Sequence, residues 1–221
     1  MSEFAIKICG VRDAETLIAT ANAGATHVGF AFIRSSPRYI TPQKAIGVAG
    51  LAPASLMRVA LFADALDHEF EDVIRAIRPQ LLQLHGRENP DRVGFIRKRF
   101  GVPVMKALAI ATADDVSEGV RAFGEVSDQL LFDAKPPAGG ATGGRGKPFD
   151  WALLATAQIP KSWMLSGGLT PANVADAIRI SGARGVDVSS GVEHERGIKD
   201  TKLIMQFVTA AKAAFAQSEE S

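Results

Sequence analysis

The sequence predicts an α/β protein built as a single (β/α)8 TIM barrel, and three observations favour this class. Short runs of β-forming residues alternate with longer amphipathic runs, the pattern of parallel strands joined by helices. Eight such strand runs fit within 221 residues, a usual length for one barrel domain. No G-x-G-x-x-G motif follows the first strand, which disfavours the alternative of an open, doubly wound sheet. We therefore expect one domain over residues 1–221, with a polar tail from about residue 217.

The predicted strands are short, apolar runs rich in β-branched or aromatic residues. Most of them are separated by segments long enough to hold one helix, as a parallel connection requires. In chain order they lie at residues 4–8, 26–31, 57–62, 81–84, 104–108, 129–132, 162–165 and 185–188.

Several helices are predicted from a capping residue followed by apolar residues at helical spacing. Asp13 is the expected N-cap of the first helix, and Gly24 the expected C-terminal glycine. The other predicted caps are Thr41 with Pro42 at the first helical position, Thr170 with Pro171 for a helix closed by Gly182, and Asp200 for the last helix, residues 200–216.

Composition and charge disfavour several functional classes. The formal net charge is +1 and neither half of the chain is strongly biased, so we expect no nucleic-acid surface and no polybasic membrane patch. A single cysteine cannot form an internal disulfide, which favours a reducing, cytoplasmic location. Lys7 and Arg12 interrupt any apolar N-terminal run, so no signal peptide is predicted, and no segment has the length of a membrane-spanning helix.

Polar side chains interrupt the predicted strands at alternate positions. Strands buried on both faces are normally apolar throughout, and polar residues at the C-terminal ends of barrel strands are where active sites assemble. Lys7, Gln83 and Lys106 fit a satisfied polar layer inside the barrel at least equally well. Function is favoured for the residues at strand ends, which are Cys9, His85 and Asp133, and Asp187 lies on the eighth strand.

Two glycine-rich turns near the C-terminus have the composition of a phosphate site. The segment “LSGGLTPANV” follows the seventh strand and “VDVSSGVE” follows the eighth. Backbone N–H groups in such turns bind oxyanions, and the loops after strands seven and eight are the usual phosphate site of this fold. The alternative is two ordinary tight turns. The candidate phosphate residues are Gly167, Gly168, Ser189, Ser190 and Gly191.

A sugar-phosphate ligand would make Cys9 and Asp133 a candidate acid–base pair. They lie at the ends of strands one and six, from which they could face each other across the barrel mouth. Proton transfer needs one donor and one acceptor, and a nearby cation such as Lys7 favours a thiolate. A covalent Cys9 nucleophile paired with His85 stays open as a minor alternative. One cysteine and four scattered histidines offer no zinc-ligand spacing, so no metal site is expected.

Ordered motifs run along nearly the whole chain, from residue 6 to about residue 200. They are “KICGVRDAE”, “GATHVGFAF”, “SSPRYITPQ”, “LLQLHG”, “GGATGG” leading to “FDW”, “LSGGLTPANV”, and “GVDVSSGVE” with “GIKD”. In this order they resemble the motifs of the phosphoribosylanthranilate isomerase family, (β/α)8-barrel enzymes of tryptophan biosynthesis.

The resemblance implies an Amadori rearrangement of N-(5′-phosphoribosyl)anthranilate, without a metal or organic cofactor. It assigns Asp133 as the general acid at the furanose ring oxygen and Cys9 as the general base at C2′. Arg38 matches the arginine near the anthranilate carboxylate, against the alternative of a solvated loop arginine. His85 and Asp187 match positions that line the pocket, and the two glycine-rich turns match the phosphate site.

One segment departs from the family pattern. The loop at 135–147 is longer and more basic than the simplest version, and its Arg145 and Lys147 either contact the anionic substrate or face water. The expected partner is a small sugar phosphate carrying anthranilate. The oligomeric state, monomer or homodimer, is left open, because the apolar residues 30–33 fit either loop packing or a dimer patch.

Two other functions remain as alternatives. A cyclising synthase of the indole-glycerol-phosphate type would use a similar phosphate site with a lysine acid, for which Lys106 is the candidate, and would leave Cys9 and Asp133 without a role. A barrel that only binds a sugar phosphate would need no matched proton donor and acceptor.

Overall fold

Eight parallel strands close on themselves to form a barrel, which confirms the predicted fold class. The computed structural model describes residues 4–135 and 149–219. The barrel strands are β1 (Ala5–Cys9), β2 (His27–Ala31), β3 (Met57–Phe62), β4 (Leu81–Leu84), β5 (Val104–Ile110), β6 (Gln129–Ala134), β7 (Ser162–Leu165) and β8 (Gly185–Val188). Each strand pairs with the next, and β8 pairs with β1 in a register that sets Lys7 opposite Asp187.

A helix follows each barrel strand. They are α1 (Ala14–Ala23), α2 (Pro42–Ala49), α3 (Asp67–Ile77), α4 (Pro90–Phe100), α5 (Ala113–Phe123), α6 (Ala152–Ala155), α7 (Val174–Ser181) and α8 (Thr201–Glu219). Between β8 and α8 the chain forms a short 3-10 helix, Ser190–Val192, and an antiparallel pair, β9 (Glu193–Glu195) with β10 (Ile198–Lys199). Within the described parts of the chain, no helix is both long and apolar enough to cross a lipid bilayer.

The capping residues predicted for three helices are confirmed. The Asp13 carboxylate accepts a hydrogen bond from Thr16 N at 2.8 Å, and Gly24 ends α1 in the left-handed conformation with φ 78°. The Thr41 hydroxyl accepts from Lys44 N at the start of α2. The Asp200 carboxylate accepts from Lys202 N at 2.8 Å at the start of α8. Each bond satisfies an N–H group that the first helical turn leaves without an intrahelical partner.

The predicted start of α7 at Thr170 and Pro171 is wrong, because the helix begins three residues later at Val174. The Asn173 side chain explains the difference: its Oδ1 accepts from Thr170 N at 2.8 Å and its Nδ2 donates to Gly168 O at 3.0 Å. These bonds hold residues 170–173 as a separate turn. The predicted closing glycine, Gly182, is confirmed with φ 69°.

Other differences lie at the edges of elements. Helix α8 continues to Glu219, so it includes residues we expected in the polar tail. Phe30 and Phe32 are buried, which favours packing within the chain over a dimer patch. Arg145 and Lys147 lie outside the described residues. Of the loop at 135–147, only Lys135 is described, and it pairs with Asp115 at 3.2 Å.

The side chains form two apolar clusters separated by the barrel wall. The larger cluster lies between the strands and the helices. The smaller lies inside the barrel and comprises Cys9, Val59, Leu61, Leu81, Met105, Leu131 and Met164. Successive strand residues face opposite sides, so each strand contributes alternate residues to the inner cluster.

Lys106 does not belong to the barrel interior, and the prediction of an interior position for it is wrong. The β4–β5 register aligns Gln83 with Met105 and Leu84 with Lys106. Because Met105 faces inward, Lys106 faces the helix layer, where its Nζ lies 2.8 Å from Glu88 Oε2. Lys7 and Gln83, by contrast, occupy inward-facing positions and are fully buried, as predicted.

Candidate active site

The C-terminal mouth of the barrel carries the two residues predicted to act on protons. Cys9 is the last residue of β1 and belongs to the inner cluster. Asp133 lies two residues beyond Leu131 of the same cluster, so alternation along β6 directs its side chain toward the same interior. The structure therefore places both side chains on the inner side of the barrel, at the end where the β/α loops converge.

His85 contacts Asp133 directly. It follows β4, and its Nε2 lies 3.2 Å from Asp133 Oδ2. Its Nδ1 lies 3.2 Å from the Gln83 side-chain nitrogen. The other oxygen of Asp133 accepts from Ala134 N at 2.9 Å. These contacts fix the orientation of a carboxyl group that is still partly open to solvent, as an acid acting on a ligand must be.

A fully buried ion pair lies just below the mouth. Lys7 Nζ lies 2.7 Å from Asp187 Oδ1, and the Ser166 hydroxyl donates to Asp187 Oδ2 at 3.3 Å. Burial lowers the pKa of Lys7, but Asp187 and Cys9 outweigh burial and raise it above the usual value, so the ammonium form persists. Asp187, which the resemblance assigns to the pocket lining, pairs with Lys7 and is 4% exposed.

The Cys9 thiol is buried among these charges. Burial raises its pKa above the usual value, and Asp187 raises it further. Lys7 and Lys199 act in the opposite direction, because each ammonium group favours the thiolate. The protonation state of Cys9 therefore depends on cations supplied by β1 and by the segment after β8.

Arg38 is not a solvated loop residue, because its guanidinium pairs with Glu193 in a bidentate arrangement. Its Nε and Nη2 donate to the two Glu193 oxygens at 2.7 and 2.8 Å. A Cβ added at Gly10 would lie 2.6 Å from Arg38 Cδ, so the arginine packs on the residue next to Cys9. This position is compatible with a ligand carboxylate near the thiol.

The Glu193 carboxylate also accepts a hydrogen bond from Lys199. The sequence analysis did not identify either residue as part of the site. Lys199 Nζ donates to Glu193 Oε1 and to Ser189 O, each at 2.9 Å. The Ser189 hydroxyl in turn donates to Cys9 O at 3.1 Å. Arg38 and Lys199 lower the pKa of Glu193 to about 2 against the opposing effect of burial.

The two glycine-rich turns lie against each other. Gly167 and Gly168 follow β7 with φ values of 86° and 69°, a region that disfavours side chains. A Cβ at Gly191 would clash with Leu169 O, so the turn after β8 packs directly on the turn after β7. Ser190 begins the 3-10 helix, and the Ser189 hydroxyl is engaged with Cys9 and Lys199.

A family model described as N-(5'phosphoribosyl)anthranilate (PRA) isomerase matches residues 6–210. The chain belongs to the PRA isomerase family. Its relatives include a PRA isomerase of Rhodopseudomonas palustris, 48% identical over 210 residues that cover 95% of this chain and 96% of the relative. A PRA isomerase of Rhodospirillum rubrum is 48% identical, covering 96% of this chain and 99% of the relative.

Solved PRA isomerase structures share the fold. That of Thermotoga maritima superposes with a TM-score of 0.85 at 34% identity, covering 95% of this chain and 99% of the other. A second, with a TM-score of 0.79 at 31% identity and the same coverage, is a complex with reduced 1-(o-carboxyphenylamino)-1-deoxyribulose 5-phosphate.

Proposed function

We propose that this protein isomerises N-(5′-phosphoribosyl)anthranilate by general acid–base catalysis, with Asp133 as the acid and Cys9 as the base. The observation that carries this proposal is the position of both side chains on the inner side of one barrel mouth, at the ends of β6 and β1. Membership of the PRA isomerase family supplies the substrate.

The first half of the reaction uses Asp133. Its carboxyl group donates a proton to the furanose ring oxygen while the bond from that oxygen to C1′ breaks. The electron pair on the anthranilate nitrogen then forms an iminium with C1′. His85 Nε2 lies 3.2 Å from Asp133 Oδ2 and holds the carboxyl group in place, while the proton that reaches the ring oxygen comes from Asp133 itself.

The second half uses Cys9. The thiolate removes the proton from C2′, and the released electron pair forms a C1′–C2′ double bond and neutralises the iminium. The resulting enolamine takes a proton at C1′ and loses the proton of its C2′ hydroxyl, which gives the ketone. The substrate's own nitrogen is the electron sink, and the two side chains exchange only protons with it.

Two anion subsites hold the ends of the substrate in this proposal. The turns containing Gly167, Gly168 and Gly191 offer backbone N–H groups to the phosphate at the loops after β7 and β8, the usual location in this fold. Arg38 holds the anthranilate carboxylate. Its two bonds to Glu193 use two of five N–H donors and fix the plane of the guanidinium.

The site fits the function of a cyclising synthase less well than that of an isomerase. Such an enzyme would need a lysine acid at the barrel mouth, and Lys106 faces the helix layer and is bonded to Glu88. A protein that only binds the ligand would have no use for an oriented carboxyl group opposite a thiol surrounded by cations.

The test is turnover of freshly prepared PRA by the purified protein, followed as loss of anthranilate fluorescence. Cys9→Ala and Asp133→Asn should each retain the fold and bind reduced 1-(o-carboxyphenylamino)-1-deoxyribulose 5-phosphate. Each should lose about two to four powers of ten in kcat, because each removes one proton-transfer group.

Asp72→Asn, on the exposed side of α3, is the control and should turn over at the rate of the unmodified protein. A folded Cys9→Ala or Asp133→Asn variant with a near-normal kcat would remove that residue from its role. Absence of turnover in the unmodified protein would reject the activity itself.

A further inference from the structure

Among the described residues, five buried charged side chains surround the end of β1, and their charges do not balance. Three are cations, Lys7, Arg38 and Lys199, and two are carboxylates, Asp187 and Glu193. One positive charge is therefore in excess while the Cys9 thiol is protonated, and the group becomes neutral when that thiol ionises. Uncompensated buried charge is costly, so the excess positive charge of this group favours a negative charge at Cys9, against the effect of burial.

The geometry at Lys199 is that of an ammonium group. Its Nζ has three acceptors within reach: Glu193 Oε1 at 2.9 Å, Ser189 O at 2.9 Å and Ser189 Oγ at 3.3 Å. An ammonium has three N–H donors and no acceptor, and this arrangement uses all three donors. Burial lowers the pKa of Lys199 below its usual value, against the opposing effects of Glu193 and Cys9. The three acceptors and the Glu193 charge retain the proton.

Lys199 reaches Cys9 through Ser189. The Ser189 hydroxyl accepts a hydrogen bond from Lys199 and donates one to Cys9 O. The lysine, the serine and the end of β1 therefore form one hydrogen-bonded unit. Arg38 closes the unit from the other side, since it packs on Gly10 and shares Glu193 with Lys199. The hairpin of β9 and β10 is therefore anchored on the strand that carries the thiol.

We propose that Lys199 is a positioning residue that, together with Lys7, stabilises the thiolate form of Cys9. Lys199 contacts Glu193 and Ser189, and it acts on the thiol through charge. This inference rests on the proposed general-base role of Cys9, because only the ionised thiol accepts a proton from C2′. Glu193 has the opposite effect, since its negative charge disfavours the thiolate while it holds both Arg38 and Lys199 in place.

Among the described residues, the charged groups that act on the Cys9 thiol are Lys7 on β1, Asp187 on β8 and Lys199 on β10. Glu193 on β9 and Arg38 after β2 belong to the same network of ion pairs. His85 after β4 and Asp133 on β6 form a separate pair at the same mouth.

The experiment measures Cys9 ionisation without turnover. Cys9 is the only cysteine, so the rate of modification by iodoacetamide, followed by intact mass, reports that thiol alone. The reagent is uncharged and reacts with the thiolate, so at fixed pH below the thiol pKa the rate follows the thiolate fraction. Lys199→Met should react about tenfold more slowly at pH 8, because loss of the ammonium group raises the thiol pKa. Glu193→Gln should react faster.

The rate of modification should fall in Lys199→Met and rise in Glu193→Gln, and these opposite changes distinguish an electrostatic effect from a loosened fold. A loosened fold would expose Cys9 and accelerate modification in both variants, and that outcome would overturn the proposal. Lys199→Arg keeps the charge and should react at nearly the original rate. Lys202→Met, an exposed lysine three residues further along, is the matched control and should be unchanged.

An unchanged rate in a folded Lys199→Met variant would also overturn the proposal. If Lys199→Met does not fold, the slower reaction must appear in Lys7→Met, and the faster one in Glu193→Gln, for the proposal to stand. These readouts are independent of catalysis. A thiol that responds as expected in a protein that does not turn over PRA would reject the proposed function and leave the electrostatic assignment intact.

Discussion

Gly167 shows how a single residue sets the shape of the candidate phosphate site. It has φ 86°, and a Cβ at this position would clash with Ala134 N and lie 3.0 Å from Asp133 Oδ1. The residue therefore lets the turn after β7 pack on the end of β6, next to the proposed acid. A side chain there would displace either the phosphate turn or the carboxyl group.

We expect Gly167→Ala to destabilise the protein by about 1–3 kcal/mol, because the backbone conformation is strained for alanine and the space is filled. Urea unfolding measures the loss, and kcat/KM should fall as well. The control is Gly47→Ala in α2, where nothing lies within 4 Å of the added Cβ and the helix should gain up to about 1 kcal/mol. A Gly167→Ala variant as stable as the Gly47→Ala variant would contradict this account.

From the sequence alone, a site residue can be identified when it is a polar residue at the end of an apolar strand. Cys9 and Asp133 are recognisable because polar side chains end otherwise apolar strands, and parallel strands end on the same side of a barrel. Glu193 and Lys199 carry no such signal. The bonds that bring Glu193 to Arg38 join residues 155 positions apart, and only the closed barrel makes them neighbours.

At the scale of elements, the pair Lys106–Glu88 ties three loop and strand segments together. Lys106 Nζ donates to Glu88 Oε2 and to Gly86 O, each at 2.8 Å. The Glu88 carboxylate also accepts from Asp64 N at 2.8 Å and Gly86 N at 3.0 Å. The loops after β3 and β4 are thus fixed to β5, beside His85.

Glu88→Gln should destabilise the protein by about 3–5 kcal/mol, since it leaves the Lys106 charge buried without its counter-ion. The double variant Glu88→Gln with Lys106→Met should be more stable than the single variant, because the uncompensated charge is gone. Urea unfolding of the two single variants and the double variant gives the coupling. Additive losses would show that the two side chains act independently.

Element types and most of their boundaries were predictable, because apolar runs and caps are local signals. The bounds of β3, β4, β7 and β8 agree with prediction, whereas β5 and β6 each extend two residues further. The start of α7 was missed because the Asn173 side chain bonds back to Thr170 and Gly168 and holds residues 170–173 as a turn. The side of the barrel that Lys106 faces required the strand register, which the sequence does not state.

At the scale of the whole molecule, the buried His27 makes stability depend on pH. It lies at the start of β2, with Nδ1 2.6 Å from Thr26 Oγ1. Burial first, and then the Lys7 charge, lower its pKa from 6.5 to about 4. The unfolded chain therefore takes up this proton more readily than the folded protein, so stability is lost as the pH falls from 6.5 to 4.

The loss attributable to His27 over this range should reach about 3 kcal/mol at most. Urea midpoints measured at pH 7 and pH 4 test it, and a His27→Gln variant should show a smaller difference between the two than the unmodified protein. The exposed His68→Gln variant is the control and should retain the full difference. Equal differences in all three proteins would exclude His27 as the cause.

The pairing of β1 with β8 has a consequence for biosynthesis. On the ribosome, the strand that carries Cys9 emerges before the other barrel strands, and Asp187 follows 180 residues after Lys7. Until β8 arrives, one edge of β1 is unpaired and Lys7 lacks its counter-ion, so the unfinished barrel is exposed to aggregation. The first and the last barrel strand must pair before the proposed site is complete, and a product truncated before β8 lacks the carboxylate partner of Lys7.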